Sequence, residues 1–192
     1  MRHLRPDDIK TGCFRRSAWR RPLPSRIFAI IILTFGFALG AGSASAQQMQ
    51  AISATVTGND QQVGFRAMIM KQAIEYNLAG SAKNDKDAIV RFTLQGDGNR
   101  IDAAVAAIRE GTKKSSNIEV STVAAAVDPT LSTFAIIDWT STSRNITTPY
   151  TLVFTLRGND NVISKKDAKS VWRDILKTTL KGDDLNKLGD DD

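Results

Sequence analysis

Ile52, Ala54 and Val56 alternate with Ser53, Thr55 and Thr57, which is the period of a half-buried strand. The period then lengthens: Phe65, Ile69, Ala73 and Tyr76 fall on one face of a helix, and Gly80 offers a stop soon after Leu78. Two strands follow, a short one over 79–83 and a stronger one over 89–95, flanking the polar run Asn84-Asp85-Lys86-Asp87-Ala88. In the second of these, Val90, Phe92 and Leu94 point one way while Arg91, Thr93 and Gln95 point the other. Asn99 is placed to cap a second helix whose buried stripe is Ile101, Ala104, Val105 and Ile108, ending at Gly111. Strands at 117–127 and 134–139 complete the order βαββαβ plus one more strand.

Two helices on one face of a four- or five-stranded, mostly antiparallel sheet make an α+β, ferredoxin-like sandwich. That layout hosts many unrelated activities, so the loops at the strand ends must carry the functional argument. Beyond the sandwich, 140–149 reads as a polar connection, 150–156 as a strand and 157–161 as a turn. Ser164 and Asp167 form a capping-box pattern that starts a helix with Ala168, Val171, Trp172, Ile175, Leu176 and Leu180 on its apolar side. This stripe is expected to cover the domain's own sheet edge or helix flank, with the 150–156 strand beside 134–139. The alternative is a dimer or partner contact anchored on Trp172. The acidic end, from Gly182 on, is expected to fray.

The first 46 residues have a different character. Eight Lys/Arg against Asp7 and Asp8 precede an uncharged apolar run over 27–40, and small residues ending in Ala44-Ser45-Ala46 follow it. That order is a secretory signal peptide cleaved after Ala46, leading to a periplasmic or secreted protein without a stable membrane anchor. The alternative is retention through Ile27 to Gly40, a run shorter than the roughly 20 apolar residues that span a bilayer comfortably. The expected organisation is therefore a leader over 1–46, a sandwich domain over 47–140 and a strand-helix extension with a disordered acidic tail over 141–192.

Removing the leader changes the chemistry. The chain has 26 basic and 20 acidic residues; taking away the leader's eight and two leaves 18 of each, so the remainder is formally neutral. A general nucleic-acid surface loses its main support, because affinity for polyphosphate comes from clustered positive charge. The only histidine, His3, and the only cysteine, Cys13, also lie in the leader. What remains has no histidine or cysteine chemistry, no disulfide and no ordinary zinc site. No metal or cofactor is expected, and a monomer is.

The segment Gly58-Asn59-Asp60-Gln61-Gln62-Val63-Gly64-Phe65-Arg66 joins the first strand to the first helix. Such a loop presents backbone N–H groups at the helix's positive end, a place for a small anion. Gly64 lets the backbone approach closely. Arg66, in the first turn, is at the wrong end for the helix dipole, and makes sense if an anion sits between it and the amides. The competing reading is a solvated arginine on an ordinary turn.

This stretch resembles the acylphosphatase signature GxVQGVGFR at Gly58, Gln61, Val63, Gly64, Phe65 and Arg66. The second acylphosphatase motif, GxVxNxxDGxV, is similar to 80–90 at Gly80, Asn84, Asp87 and Val90. The resemblance runs from about residue 50 to 139 in the family's order. It implies metal-independent hydrolysis of acyl phosphates to a carboxylate and inorganic phosphate. By the same resemblance Arg66 binds the phosphoryl oxygens together with the amides of Gln61, Gln62, Val63, Gly64, Phe65 and Arg66, and Asn84 orients the attacking water.

Four positions depart from the family pattern. Gln62 stands where the family has a glycine, Asp60 replaces an apolar residue, Asp85 follows Asn84, and Ala88 replaces a turn glycine. A carboxylate of Asp85 pointing inward would repel a phosphate dianion. Two functions are therefore carried forward: an exported acylphosphatase acting through Arg66 and Asn84, and a non-catalytic periplasmic anion-binding or protein-interaction module on the same fold.

Overall fold

The computed structural model describes residues 48–59, 64–86, 89–113 and 115–189; residues 1–46, on which the cleavage and anchor expectations rest, lie outside them. The chain runs β1 (Met49–Asn59), α1 (Phe65–Tyr76), β2 (Ala79–Asn84), β3 (Val90–Asp97), α2 (Gly98–Glu110), β4 (Ser116–Ala124) and β5 (Thr133–Ser141). A 3-10 turn (Thr142–Arg144), β6 (Ile146–Thr155), α3 (Lys165–Thr179) and α4 (Asp183–Asn186) follow. The strands form one sheet in the order β4-β1-β3-β2-β5-β6. All neighbours are antiparallel except β2 and β5, which are parallel. The ferredoxin-like α+β sandwich is confirmed, and the strand expected beside 134–139 is present as β6, the sixth of the sheet.

The two faces of the sheet separate cleanly by residue type. Ala54, Val56, Ala82, Val90, Phe92, Leu94, Phe134, Ile136, Leu152 and Phe154 are buried under the helices. The opposite face shows one register row of small or β-branched side chains across all six strands: Val123, Ser53, Thr93, Ser81, Ala135 and Val153. This is the two-residue alternation of a sheet with one covered face. Gln95, buried on the uncovered side, is satisfied by the segment after β4: its Nε2 donates to the Asp128 carbonyl and its Oε1 accepts from the Asp128 N–H, both at 2.7 Å.

α1 is buried more widely than one stripe. Met70 and Ile74 are as inaccessible as Ile69 and Ala73, because α2 and α3 flank α1 while β2 and β5 lie beneath it. α3 supplies the second flank. Its Ser164 cap accepts from the Asp167 N–H at 3.1 Å and donates its hydroxyl to the Asp167 carboxylate at 2.7 Å. Ala168, Trp172, Leu176 and Leu180 then turn inward. Trp172 is 3% exposed, so it serves this domain's own core and is not an anchor for a partner.

Several boundaries differ from expectation. α1 ends at Asn77, left-handed with φ 55°, rather than at Gly80, which lies inside β2. A Cβ on Gly80 would sit 2.0 Å from the Thr93 carbonyl oxygen, so that glycine serves strand contact and not helix termination. α2 is capped by Asp97, whose carboxylate accepts from the Arg100 N–H at 3.2 Å, not by Asn99. The expected polar connection over 140–149 is mostly strand, with Pro149 inside β6. β6 is an edge strand, where a missing N–H costs no ladder bond on the open side. The acidic end forms α4 instead of fraying through 183–188. Tyr150 Oη donates to Asp184 at 3.0 Å, Lys187 bridges Asp184 and the Asn145 carbonyl at 2.7 Å each, and Leu188 packs on the core.

Candidate active site

α1 begins abruptly. Gly64, left-handed at φ 77° and ψ 20°, holds the N-cap position, and its carbonyl accepts from the Met68 N–H at 3.0 Å. No side chain caps this end and no acidic residue stands in the first turn, so nothing in the described helix neutralises its positive pole. Phe65 is 1% exposed and fixes the entry angle into the core. Residues Gln61, Gln62 and Val63, together with Asp60, lie outside the described residues, so of the expected amide cradle only Gly64, Phe65 and Arg66 are described.

Arg66 is not a solvated arginine. Only 9% of it is exposed, and its Nη1 donates to the Ile137 carbonyl at 3.0 Å and to the Asp138 carbonyl at 2.8 Å. Burial holds its pKa below the ordinary arginine value, partly offset by the negative charge of Asp138. Two successive strand carbonyls normally point to opposite sides. Here the ladder between β5 and β6 shifts register between Ile136 and Trp139, and Asp138 takes φ 53°. The bulge turns both carbonyls to one cation.

Asn84 closes β2. By alternation it shares the helix-covered side with Ala82 and with its β3 partner Val90. Along the parallel pair, Ala82 lies opposite Ile136, so Asn84 ends its strand at the level where Asp138 bulges out of β5. The exposed Asn84 and the buried Arg66 thus belong to the same face and the same end of the sheet. Asp85 is drawn elsewhere. It is ion-paired with Arg91, its Oδ1 accepts from the Lys86 N–H at 2.9 Å, and its backbone N–H donates to the Ile89 carbonyl at 2.7 Å. Arg91 belongs to the uncovered face with Lys83 and Thr55, so the ion pair pulls the carboxylate away from α1. Asp87 and Ala88 lie outside the described residues.

The carbonyls of Ile137 and Asp138 are the part of the site that motif reasoning missed, because they are backbone atoms and carry no residue signature. A signal existed nonetheless. Buried Phe134 and Ile136 are two apart, while the next buried residue of β5, Trp139, is three further on. That extra residue marks a bulge. Among the described residues, no three His, Cys, Asp or Glu side chains are grouped closely enough to hold a metal ion.

The acylphosphatase family model matches residues 52–136. The acylphosphatase of Chlorobaculum tepidum is 33% identical over 82 residues, covering 89% of that protein and 43% of this chain. That of Methanocella arvoryzae is 33% identical over 63 residues, covering 72% of it and 33% of this chain. The crystal structure of acylphosphatase from Bacillus subtilis overlays at 27% identity with a TM-score of 0.43, over 46% of this chain and 98% of that one. The matched span runs from within β1 to the middle of β5, including Gly64, Arg66 and Asn84, and closes one residue before the first carbonyl bonded to Arg66. Over that span, and across most of the length of these relatives, the chain belongs to the acylphosphatase family.

Proposed function

We propose that this protein is an exported acylphosphatase in which Arg66 and the amides of 61–66 bind the phosphoryl group and Asn84 orients the attacking water. The activity class follows from the family. The roles of the residues rest on one observation above all: Arg66 is buried at an uncapped helix N-terminus, with one of its nitrogens anchored on two carbonyls. An anchored guanidinium is pre-organised, so Nε and Nη2 can receive phosphoryl oxygens with little further ordering.

The chemistry asks little more of the protein. The leaving carboxylate is weakly basic and departs without protonation, and a loose phosphoryl-transfer transition state makes small demands on a general base. In-line attack by water breaks the P–O bond to the acyl oxygen, giving a carboxylate and inorganic phosphate. Asn84 cannot accept a proton at neutral pH, so it holds the water by donating and accepting hydrogen bonds. Positioning and charge stabilisation supply the acceleration, which accords with a chain whose only histidine and cysteine are in the leader. The small acyl phosphate, or inorganic phosphate, is the ligand, and the monomer is the working unit. Export with cleavage after Ala46 is the reading of the leader, with anchoring through 27–40 as its alternative.

The test is hydrolysis of benzoyl phosphate by the purified protein in the presence of EDTA. Wild type should turn over, while Arg66→Ala and Asn84→Ala should each lose at least a hundredfold in kcat/KM with the circular dichroism spectrum retained. Equal inertness of all three proteins would sink the enzyme reading, and phosphate-induced thermal stabilisation of that inert protein would establish the anion-binding module in its place.

A further inference from the structure

The two carbonyls that anchor Arg66 belong to residues without a register partner in the sheet. The β2 and β5 pairing ends at Ala82 with Ile136, and between β5 and β6 the pairing resumes only at Trp139 with Tyr150. Ile137 and Asp138 are therefore skipped by the ladder on both sides, and Asp138 is left-handed without being glycine. Such a conformation persists only where its surroundings over-determine it. The residue that leads out of it is Trp139, 4% exposed and packed edge-on against Trp172, with ring centroids 6.2 Å apart and planes at 75°.

Trp172 also touches the other half of the arrangement. Lys71, on α1 five residues beyond Arg66, places its Nζ 5.5 Å from the Trp172 ring centroid. One α3 side chain thus grips both the helix that carries Arg66 and the strand that supplies its acceptors. α3 lies wholly outside the family's matched span.

We propose that Trp172 is a positioning residue for Arg66: through Trp139 it holds the bulge at Ile137 and Asp138, and through Lys71 the flank of α1, so that the guanidinium is fixed by a helix added to the family fold. The catalytic consequence rests on the function proposed above; the fixing of Arg66 itself does not.

The variants are Trp172→Ala, Trp172→Phe, which keeps an aromatic ring, and Leu180→Ala, which truncates a buried side chain at the C-cap of α3. The side-chain nitrogen resonances of Arg66, identified by their loss in Arg66→Lys, report its anchoring whether or not the protein is active. In Trp172→Ala these resonances should collapse to the position of exposed arginines, the Kd for inorganic phosphate should rise about tenfold and kcat/KM on benzoyl phosphate should fall up to about a hundredfold. Trp172→Phe should recover most of each effect. Leu180→Ala, although lower in Tm, should match wild type in all three. If alanine at 172 unfolds the chain, Trp172→Leu puts the same question with the apolar volume retained. Wild-type Arg66 resonances in the folded 172 variant, or the same losses in Leu180→Ala, would overturn the proposal. An inert wild type whose Arg66 still loses its anchoring in the variant would overturn the enzymatic function alone.

Discussion

Asn77 and Arg157 meet across 80 positions of sequence as if they were neighbours in a ladder. The Arg157 N–H donates to Asn77 Oδ1 at 2.9 Å, and Asn77 Nδ2 donates to the Arg157 carbonyl at 3.3 Å. The Arg157 guanidinium completes the clasp by donating to the Ile74 carbonyl at 2.7 Å, at the C-terminal end of α1. The extension is thereby fastened at the far end of the helix that carries Arg66 in its first turn.

Asn77→Ala should therefore lower stability by about 2–3 kcal/mol, combining two lost backbone-like bonds with an alanine forced to φ 55°. Asn77→Gly removes the conformational cost but not the lost bonds, and should fall between alanine and wild type. Urea denaturation of the three proteins checks the order; alanine and glycine of equal stability would show that the left-handed backbone contributes nothing.

The Asp85 carboxyl is held below the usual carboxylate range, first by its hydrogen bond from Arg91 and then by that from the Lys86 N–H. Arg91→Ala should return its titration toward the ordinary range, which carbon NMR of the carboxyl would show. Freed from Arg91, the carboxylate lies one residue from Asn84 and should weaken phosphate binding roughly threefold, an exposed-charge effect. Adding Asp85→Asn to Arg91→Ala should restore the affinity. An unchanged Kd in the single variant would mean that the ion pair does not protect the anion site.

Glu75 is 8% exposed in the last turn of α1, and its pKa is raised by burial, with Lys165 opposing. A carboxyl whose folded pKa lies above its unfolded value contributes stability below the unfolded pKa and loses it as pH rises through the folded one. Neutral pH is thus on the unfavourable side. Glu75→Gln should be more stable than wild type at pH 7, by about 1 kcal/mol, with the gap closing as pH falls through the carboxylate range. Thermal melts across that range test the sign; a gap that widens toward acid would refute it.

Gly64 and Gly80 both belong to family-like motifs, yet their substitutions should differ sharply. A Cβ on Gly64 would meet nothing within 4 Å, so Gly64→Ala bears only the cost of φ 77°, about 1–2 kcal/mol. On Gly80 it would press into the Thr93 backbone, which cannot move without parting β2 from β3. Gly80→Ala should abolish folding at ambient temperature, as soluble expression and circular dichroism would report. A folded Gly80→Ala protein would show that the two strands can separate at little cost.

What could be read from residues alone is what local periodicity controls. Alternation at Ile52, Ala54 and Val56, the helical spacing from Phe65 to Tyr76, and the Ser164 and Asp167 cap each concern a few neighbouring positions, and the elements formed there. The glycine and arginine at 64 and 66 were legible for the same reason, as features of one strand-to-helix junction. Tertiary structure decided the rest. Which carbonyls receive Arg66, which ring steadies their bulge, and where Asp85 turns depend on groups brought together by register and burial, 71 and 72 positions apart for the two bonds of Arg66. A strand carbonyl has the same chemistry at every residue, so only the shift of the ladder between Ile136 and Trp139 singles out the pair that binds the guanidinium.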